Sequence, residues 1–181
     1  MNEPVFVDAS AWVAITNRTD RHHDEALRVY HRLLRSGTPL ITSTWTAYEA
    51  LSIVKTKLGY HQAERLWERM LRPAVVSLIK VNERIEAEAL QLFWSYQDKD
   101  WGVVDCASLR VMEQTGCHQA FAFDRHFTEA SKQYGFSLVG KQAAQISREQ
   151  TGRLFLRQSK IQKRPRGRKS KIETRADGVI K

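Results

Sequence analysis

The sequence predicts an α/β domain, a parallel β-sheet with helices on both faces, followed by a basic C-terminal tail. Three observations lead there. Short apolar runs alternate with longer segments whose apolar residues recur at helical spacing, as expected when every strand is buried on both faces. At 181 residues, 42% of them hydrophobic, the chain is long enough for one domain with a sizeable core and an appendage. The charge also divides sharply. From Lys141 onward 13 Lys and Arg face 3 Asp and Glu, a net of +10, whereas residues 1–140 carry 16 basic and 17 acidic residues. We therefore place the domain at residues 1–140 and the tail at 141–181.

The elements follow in order. "PVFVDA" is a short apolar run ending in an acid and reads as a buried strand, with a helical stretch after it through Trp12. "TDRHHDEALRVYHRLLRSG" offers Asp20 as an N-cap, helical apolar spacing and Gly37 as the stop. "PLITS" is a second strand. "TWTAYEALSIVKTKLG" is a helix closed by Gly59, and "YHQAERLWERMLR" another, ended by Pro73. "AVVSLIKV" returns to strand before the long helix "NERIEAEALQLFWSYQ". A further helix spans about 103–115, "QAFAF" is a strand, and a short helix after Asp124 leads to a last small strand in "GFSLV". The tail becomes "RQSKIQKRPRGRKSKIETR", whose charge and Pro/Gly punctuation predict disorder in isolation.

Several classes are disfavoured. No segment approaches the ~18 uninterrupted apolar residues of a membrane span. The N-terminus lacks a basic region before an apolar one, so no signal peptide is expected. Cys106 and Cys117 form no CxxC pair and sit among apolar neighbours, which suits reduced packing thiols in a cytoplasmic protein. The basic tail points to a polyanionic partner, most often nucleic acid, or to a solvated tail without one.

Isolated acids carry the chemistry. Asp105 interrupts the apolar run Val103-Val104-…-Cys106-Ala107, and Asp124 follows the apolar Ala120–Phe123. A buried, unpaired carboxylate costs several kcal/mol, so such an acid needs a partner, a metal ion or an exit to water. Ligands of an open parallel sheet gather at the carboxyl ends of its strands. Asp8 ends the first strand and Asp124 the fourth. Glu49 lies within two turns of the start of the helix entered from the second strand, and Asp105 in the first turn of its own helix. Four carboxylates from four segments can thus converge, and their repulsion would then require a cation. Hard oxygen ligands suit Mg²⁺ or Mn²⁺ over Zn²⁺, and such an ion equips a phosphodiesterase.

Each acid also has a purely structural reading. Asp8 and Asp124 fit as N-caps, Asp105 as a first-turn carboxylate favoured by the helix dipole, and Glu49 as a solvated helix residue.

"VFVDASAW", "TSTWTAYEA", "KDWGVVDCASLRVM" and "AFAFDRHF…YGF" resemble the successive motifs of a PIN domain, and most nearly those of VapC-like toxin ribonucleases of toxin–antitoxin pairs. The resemblance covers roughly residues 4–139. It implies a Rossmann-like sandwich and a Mg²⁺- or Mn²⁺-dependent endoribonuclease whose acidic site maps onto Asp8, Glu49, Asp105 and Asp124. Ser10 matches the family's small hydroxyl residue, to hold a metal-bound water or a phosphate, or it is a simple N-cap. Asp100 reads as a cap or a supporting acid. The resemblance further implies an antitoxin partner and a homodimer, for which the aromatic-rich helices spanning Trp45–Trp67 offer a surface. The stretch between "DRHF" and "GF" is longer than the family's compact form, and the family says nothing of the tail. There, Lys163, Arg164, Arg166, Arg168 and Lys169 are candidate RNA contacts through counterion release.

Other features are assigned to structure. His22 and His23 fit a charged helix start, and the five tryptophans mostly the core. His126, beside Asp124, could touch a phosphate, but a structural or solvent role is preferred. An aspartate-nucleophile phosphatase would want a second acid where Ser10 stands. Two alternatives to the toxin stay open, a PIN nuclease of RNA processing without an antitoxin and a non-catalytic RNA-binding protein.

Overall fold

Burial on two faces explains why the strands are so short and so apolar. The computed structural model describes residues 2–72 and 74–140. Expectations for Pro73 and for the basic tail, Lys163, Arg164, Arg166, Arg168 and Lys169 included, lie outside the described residues. The chain runs β1 (Val5–Val7), α1 (Ala9–Thr16), α2 (His23–Arg35), β2 (Leu40–Ser43), α3 (Thr44–Leu58), α4 (Tyr60–Met70) and β3 (Val76–Ile79). It continues through α5 (Glu83–Ser95), α6 (Val103–Gln114), β4 (Gln119–Phe121), α7 (Arg125–Tyr134) and β5 (Ser137–Leu138). The longer stretch between "DRHF" and "GF" forms the ten-residue α7, closed by Gly135 in the left-handed region at φ 75°.

The sheet order is β3-β2-β1-β4-β5 with every pairing parallel. The chain winds outward from β1 to β3, then crosses back to β4 beside β1. That reversal leaves a crevice at the carboxyl ends of β1 and β4, where a doubly wound sheet binds its ligands. Asp8 follows β1 directly and Asp124 lies three residues past β4.

Side-chain alternation along the strands builds two cores. Val5, Val7, Leu40 and Phe121 pack with Trp12, Val29, Val54, Leu66 and Met70 on one face. Phe6, Ile41 and Ala120 pack with Ile85, Leu109, Val111 and Phe127 on the other. Trp12 is fully buried, and its Nε1 donates to Thr42 Oγ1 (3.3 Å), which donates to the Val7 carbonyl (2.9 Å). Truncation of Trp12 to Ala would cost about 3–5 kcal/mol.

Side chains fix most helix starts. Asp8, Ser43, Asn82 and Asp124 accept from the backbone N–H of Ser10, Thr46, Ile85 and Phe127. Two expected caps are corrected. Asp20 does not cap α2, which starts after His22. Its Oδ1 accepts from His22 N (2.8 Å) and holds the preceding turn, while the His22 ring lies on Phe123. Nor is Ser10 a cap, because Asp8 already occupies that position. Trp94 departs from the core assignment and is exposed on α5.

Cys106 and Cys117 are buried free thiols, and burial pushes the Cys106 thiol up to about 11, as inert packing residues require. Among the described residues no helix is long and apolar enough to cross a membrane.

Candidate metal centre

The β1–α1 junction places the first acid. Asp8 N donates to the Phe121 carbonyl (3.0 Å), which ties the end of β1 to β4, and the side chain is only 3% exposed. Ser10 N (2.8 Å) and Ser10 Oγ (2.6 Å) both donate to Asp8 Oδ2. Ser10 Oγ in turn accepts from Phe123 N (3.0 Å). Ser10 therefore braces Asp8 against the segment that leads to Asp124. Both bonds fall on Oδ2 and leave Oδ1 for a ligand.

The same division of labour recurs. Asp105 Oδ2 accepts from Gly102 N (2.8 Å) and lies 3.0 Å from His126 Nδ1, while Asp124 Oδ1 accepts from Phe127 N (2.8 Å). Each of the three acids commits one oxygen to the backbone and keeps the other. Asp105, Asp124 and His126 each present a ligand atom, all within 4.8 Å of one another.

Below this group runs a buried chain of hydroxyls. Ser43 Oγ and Thr46 Oγ1 are 2.7 Å apart, Thr46 Oγ1 and Ser108 Oγ 2.9 Å, and Ser108 Oγ donates to the Val104 carbonyl (2.9 Å). Thr46 precedes Glu49 by three residues on α3, and Ser108 follows Asp105 by three on α6. The chain of hydroxyls thus locks together the two helices that carry these acids.

The electrostatics follow from burial first and crowding second. Burial first, then the neighbouring Asp124, pushes the Asp8 carboxyl up to about 8, against the opposing bonds from Ser10. Asp105 is raised above the usual carboxylate range by burial and then by Asp124, with the Gly102 and His126 contacts opposing. The group of three formed by Asp105, Asp124 and His126 contains neither the buried Asp8 nor Glu49, which lies exposed on α3. The Glu49 carboxyl is raised as well, by partial removal from water and then by Asp105 and Asp124. Acids that suppress one another's ionisation and hold oxygens free fit a hard divalent cation.

Sequence reasoning assigned His126 to a structural role, whereas it touches Asp105 inside the cluster. The signal was its position two residues after Asp124, in the first turn of α7, where a side chain is turned back over the helix start. Asp100 is neither a cap nor a member of the group. Gly102 takes the cap position of α6, and Asp100 Oδ2 pairs with Arg125 Nη2 (2.6 Å) at the exposed rim.

A PIN domain family model matches residues 5–133. The 23S rRNA-specific endonuclease VapC20 of Mycobacterium tuberculosis is 28% identical over 127 residues, which cover 70% of this chain and 93% of the relative. Its crystal structure, described as that of a toxin cleaving the sarcin–ricin loop, matches with a TM-score of 0.63, over 70% of this chain and 94% of that one. The structure of FitAcB from Neisseria gonorrhoeae matches with a TM-score of 0.52 at 13% identity, over 74% and 95%, and so shares the fold.

Proposed function

Because the chain belongs to the PIN domain family, we propose that it is a divalent-metal-dependent endoribonuclease, the toxin of a toxin–antitoxin pair, with Asp8, Glu49, Asp105 and Asp124 around its metal ion. The likeness to VapC20 favours this over a processing nuclease or a non-catalytic RNA-binding protein. One observation carries the site assignment. Asp8, Asp105 and Asp124 each keep one oxygen free, while burial and then the charge of Asp124 raise the Asp8 and Asp105 carboxyls.

A divalent ion held by Asp8, Glu49, Asp105 and Asp124 would offset their charge and would supply Lewis acidity for a water nucleophile and a phosphoryl oxygen. Mg²⁺ or Mn²⁺ suits the oxygen donors. The protein's own share is orientation. Ser10 aims Asp8, and Gly102 N with His126 aims Asp105. The cap bond to Phe127 N aims Asp124, and the hydroxyl chain sets α3 against α6.

The partners are RNA, an antitoxin protein and a second copy of the chain, in a cytoplasmic setting. The exposed aromatics of the Trp45–Trp67 region are Tyr48 and Tyr60, for Trp45 and Trp67 pack against the cores. For the tail we propose RNA affinity. On the order of 5 phosphate contacts would make its deletion lower the log K against log salt slope by about 3 to 4 on single strands. Equal slopes for the full chain and residues 1–140 would remove that role.

The deciding experiment incubates the full-length protein with ribosomal RNA containing the sarcin–ricin loop, and with unrelated single-stranded RNA, with Mg²⁺, Mn²⁺ or excess EDTA. Discrete internal cuts that need the ion are expected. Full cleavage in EDTA would overturn the mechanism.

A further inference from the structure

A cleft of about 600 Å³ opens beside the carboxylates, and Asp124 and His126 are part of its lining. Asp98, Asp100 and Glu129 also line it and would repel a phosphate, but each has a cation at hand. Arg125 Nη2 is 2.6 Å from Asp100 Oδ2, and Lys99 Nζ is 2.6 Å from Glu129 Oε1 and 3.6 Å from Asp98 Oδ2. Arg21 and Lys132 face the same cleft, and among the described residues neither has a carboxylate within ion-pair distance.

Arg21 is also held in place. Its Nε donates to His22 Nε2 (3.0 Å), and the His22 ring stacks on Phe123 with centroids 4.5 Å apart and planes 13° from parallel. An arginine pinned through Nε has less freedom left to lose when its outer nitrogens meet an anion.

We propose that this cleft carries the RNA backbone to the carboxylate site, with Arg21 and Lys132 gripping phosphates next to the scissile bond. The proposal rests on the endoribonuclease reading and adds to it the path of the substrate. A cluster of acids repels the polyanion it cuts, so cations must hold the strand close by. The two unopposed cations line the same cleft as Asp124, within reach of a strand whose phosphate sits there. An acidic peptide would find the same cations but has no need to reach the carboxylates.

The test titrates metal-free full-length protein with a single-stranded oligoribonucleotide of mixed sequence over a range of salt. It compares the wild type with the Arg21→Ala/Lys132→Ala double variant. Both side chains are exposed, so thermal unfolding should not change. Loss of two phosphate contacts should lower the salt slope by about 1.4 and weaken binding about tenfold near physiological salt. With metal present, the loss in kcat/KM should fall on KM. Arg84→Ala, which removes a charge on α5 outside the cleft, should keep the wild-type slope. Cleavage by the wild type together with an unchanged slope and KM in the double variant would overturn the cleft and leave the nuclease standing. No cleavage by the wild type, with the slope still lowered in the double variant, would sink the nuclease reading and keep the cleft. Unchanged RNA binding with weakened capture of a polyglutamate peptide would give the cleft to a protein partner and overturn the proposal.

Discussion

Asp8→Asn separates the charge of the site from its architecture. The asparagine oxygen can still accept from Ser10 N and Ser10 Oγ, so the start of α1 should be preserved. What changes is ionisation. In the metal-free fold the Asp8 carboxyl is raised from 3.8 to about 8. Between those values the folded protein keeps a proton that the unfolded chain has lost. Unfolding releases that proton, and stability falls as pH rises, by at most about 1.4 kcal/mol per pH unit. The stability is intact below about pH 4, and up to about 4 kcal/mol of it is gone by pH 7. Asp105 and Glu49, raised in the same direction, add to the trend. The metal-free Asn variant should therefore exceed the wild type near pH 7 by about 2–4 kcal/mol, or about 4–16 °C in Tm for a chain of this size. It should match the wild type near pH 4. Mn²⁺ should raise the wild-type Tm more as pH increases and the variant's much less, and RNA cleavage should fall about 100-fold or more. Thermal scans across pH in EDTA and in Mn²⁺, with cleavage of labelled RNA, read all of this. A wild-type Tm that stays flat between about pH 5 and 8 in EDTA would refute the crowded-acid argument.

Three further outcomes are expected. His126→Ala should weaken Mn²⁺ binding by about tenfold with little change in Tm, and His126→Asn, which can place an N–H near the same position, should recover most of it. Equal affinity in calorimetric titrations of all three proteins would remove His126 from the site. Thr46→Val deprives the buried Ser43 and Ser108 hydroxyls of their shared partner and should cost about 1–3 kcal/mol in denaturant unfolding, with slower cleavage as α3 and α6 lose their register. A variant of wild-type stability would show that the hydroxyl chain carries no weight. The Tyr48→Glu/Tyr60→Glu variant should turn a dimer into a monomer in light scattering, and a monomeric wild type would dismiss the dimer.

The fold was legible because its signals are local. Buried strands such as Val5–Val7 and Leu40–Ser43 read as apolar runs whichever helix covers them. Gly59 stops a helix because its positive φ suits glycine. Positions governed by distant neighbours were not legible. Asp20 is a good cap by composition, yet α2 starts after His22, whose ring rests on Phe123 a hundred residues away. The pairing of Asp100 with Arg125 and the reach of His126 to Asp105 also join separate segments, and no spacing rule connects them.

The acids admit two descriptions, helix caps or a cation site, and the two are compatible. A cap bond uses one oxygen and a carboxylate has two. Asp8 and Asp124 cap α1 and α7, and Asp105 closes the first turn of α6 through Gly102 N, so each of these acids sits at a helix N-terminus. Those ends carry partial positive charge, which eases the crowding of the acids while no ion is bound. The capping bonds also fix which oxygen of each acid stays free. Replacing any one of these acids with alanine would thus remove a cap bond together with a proposed ligand, and loss of activity alone would not tell the two apart. The amide substitutions do, because an amide still caps while it carries no charge.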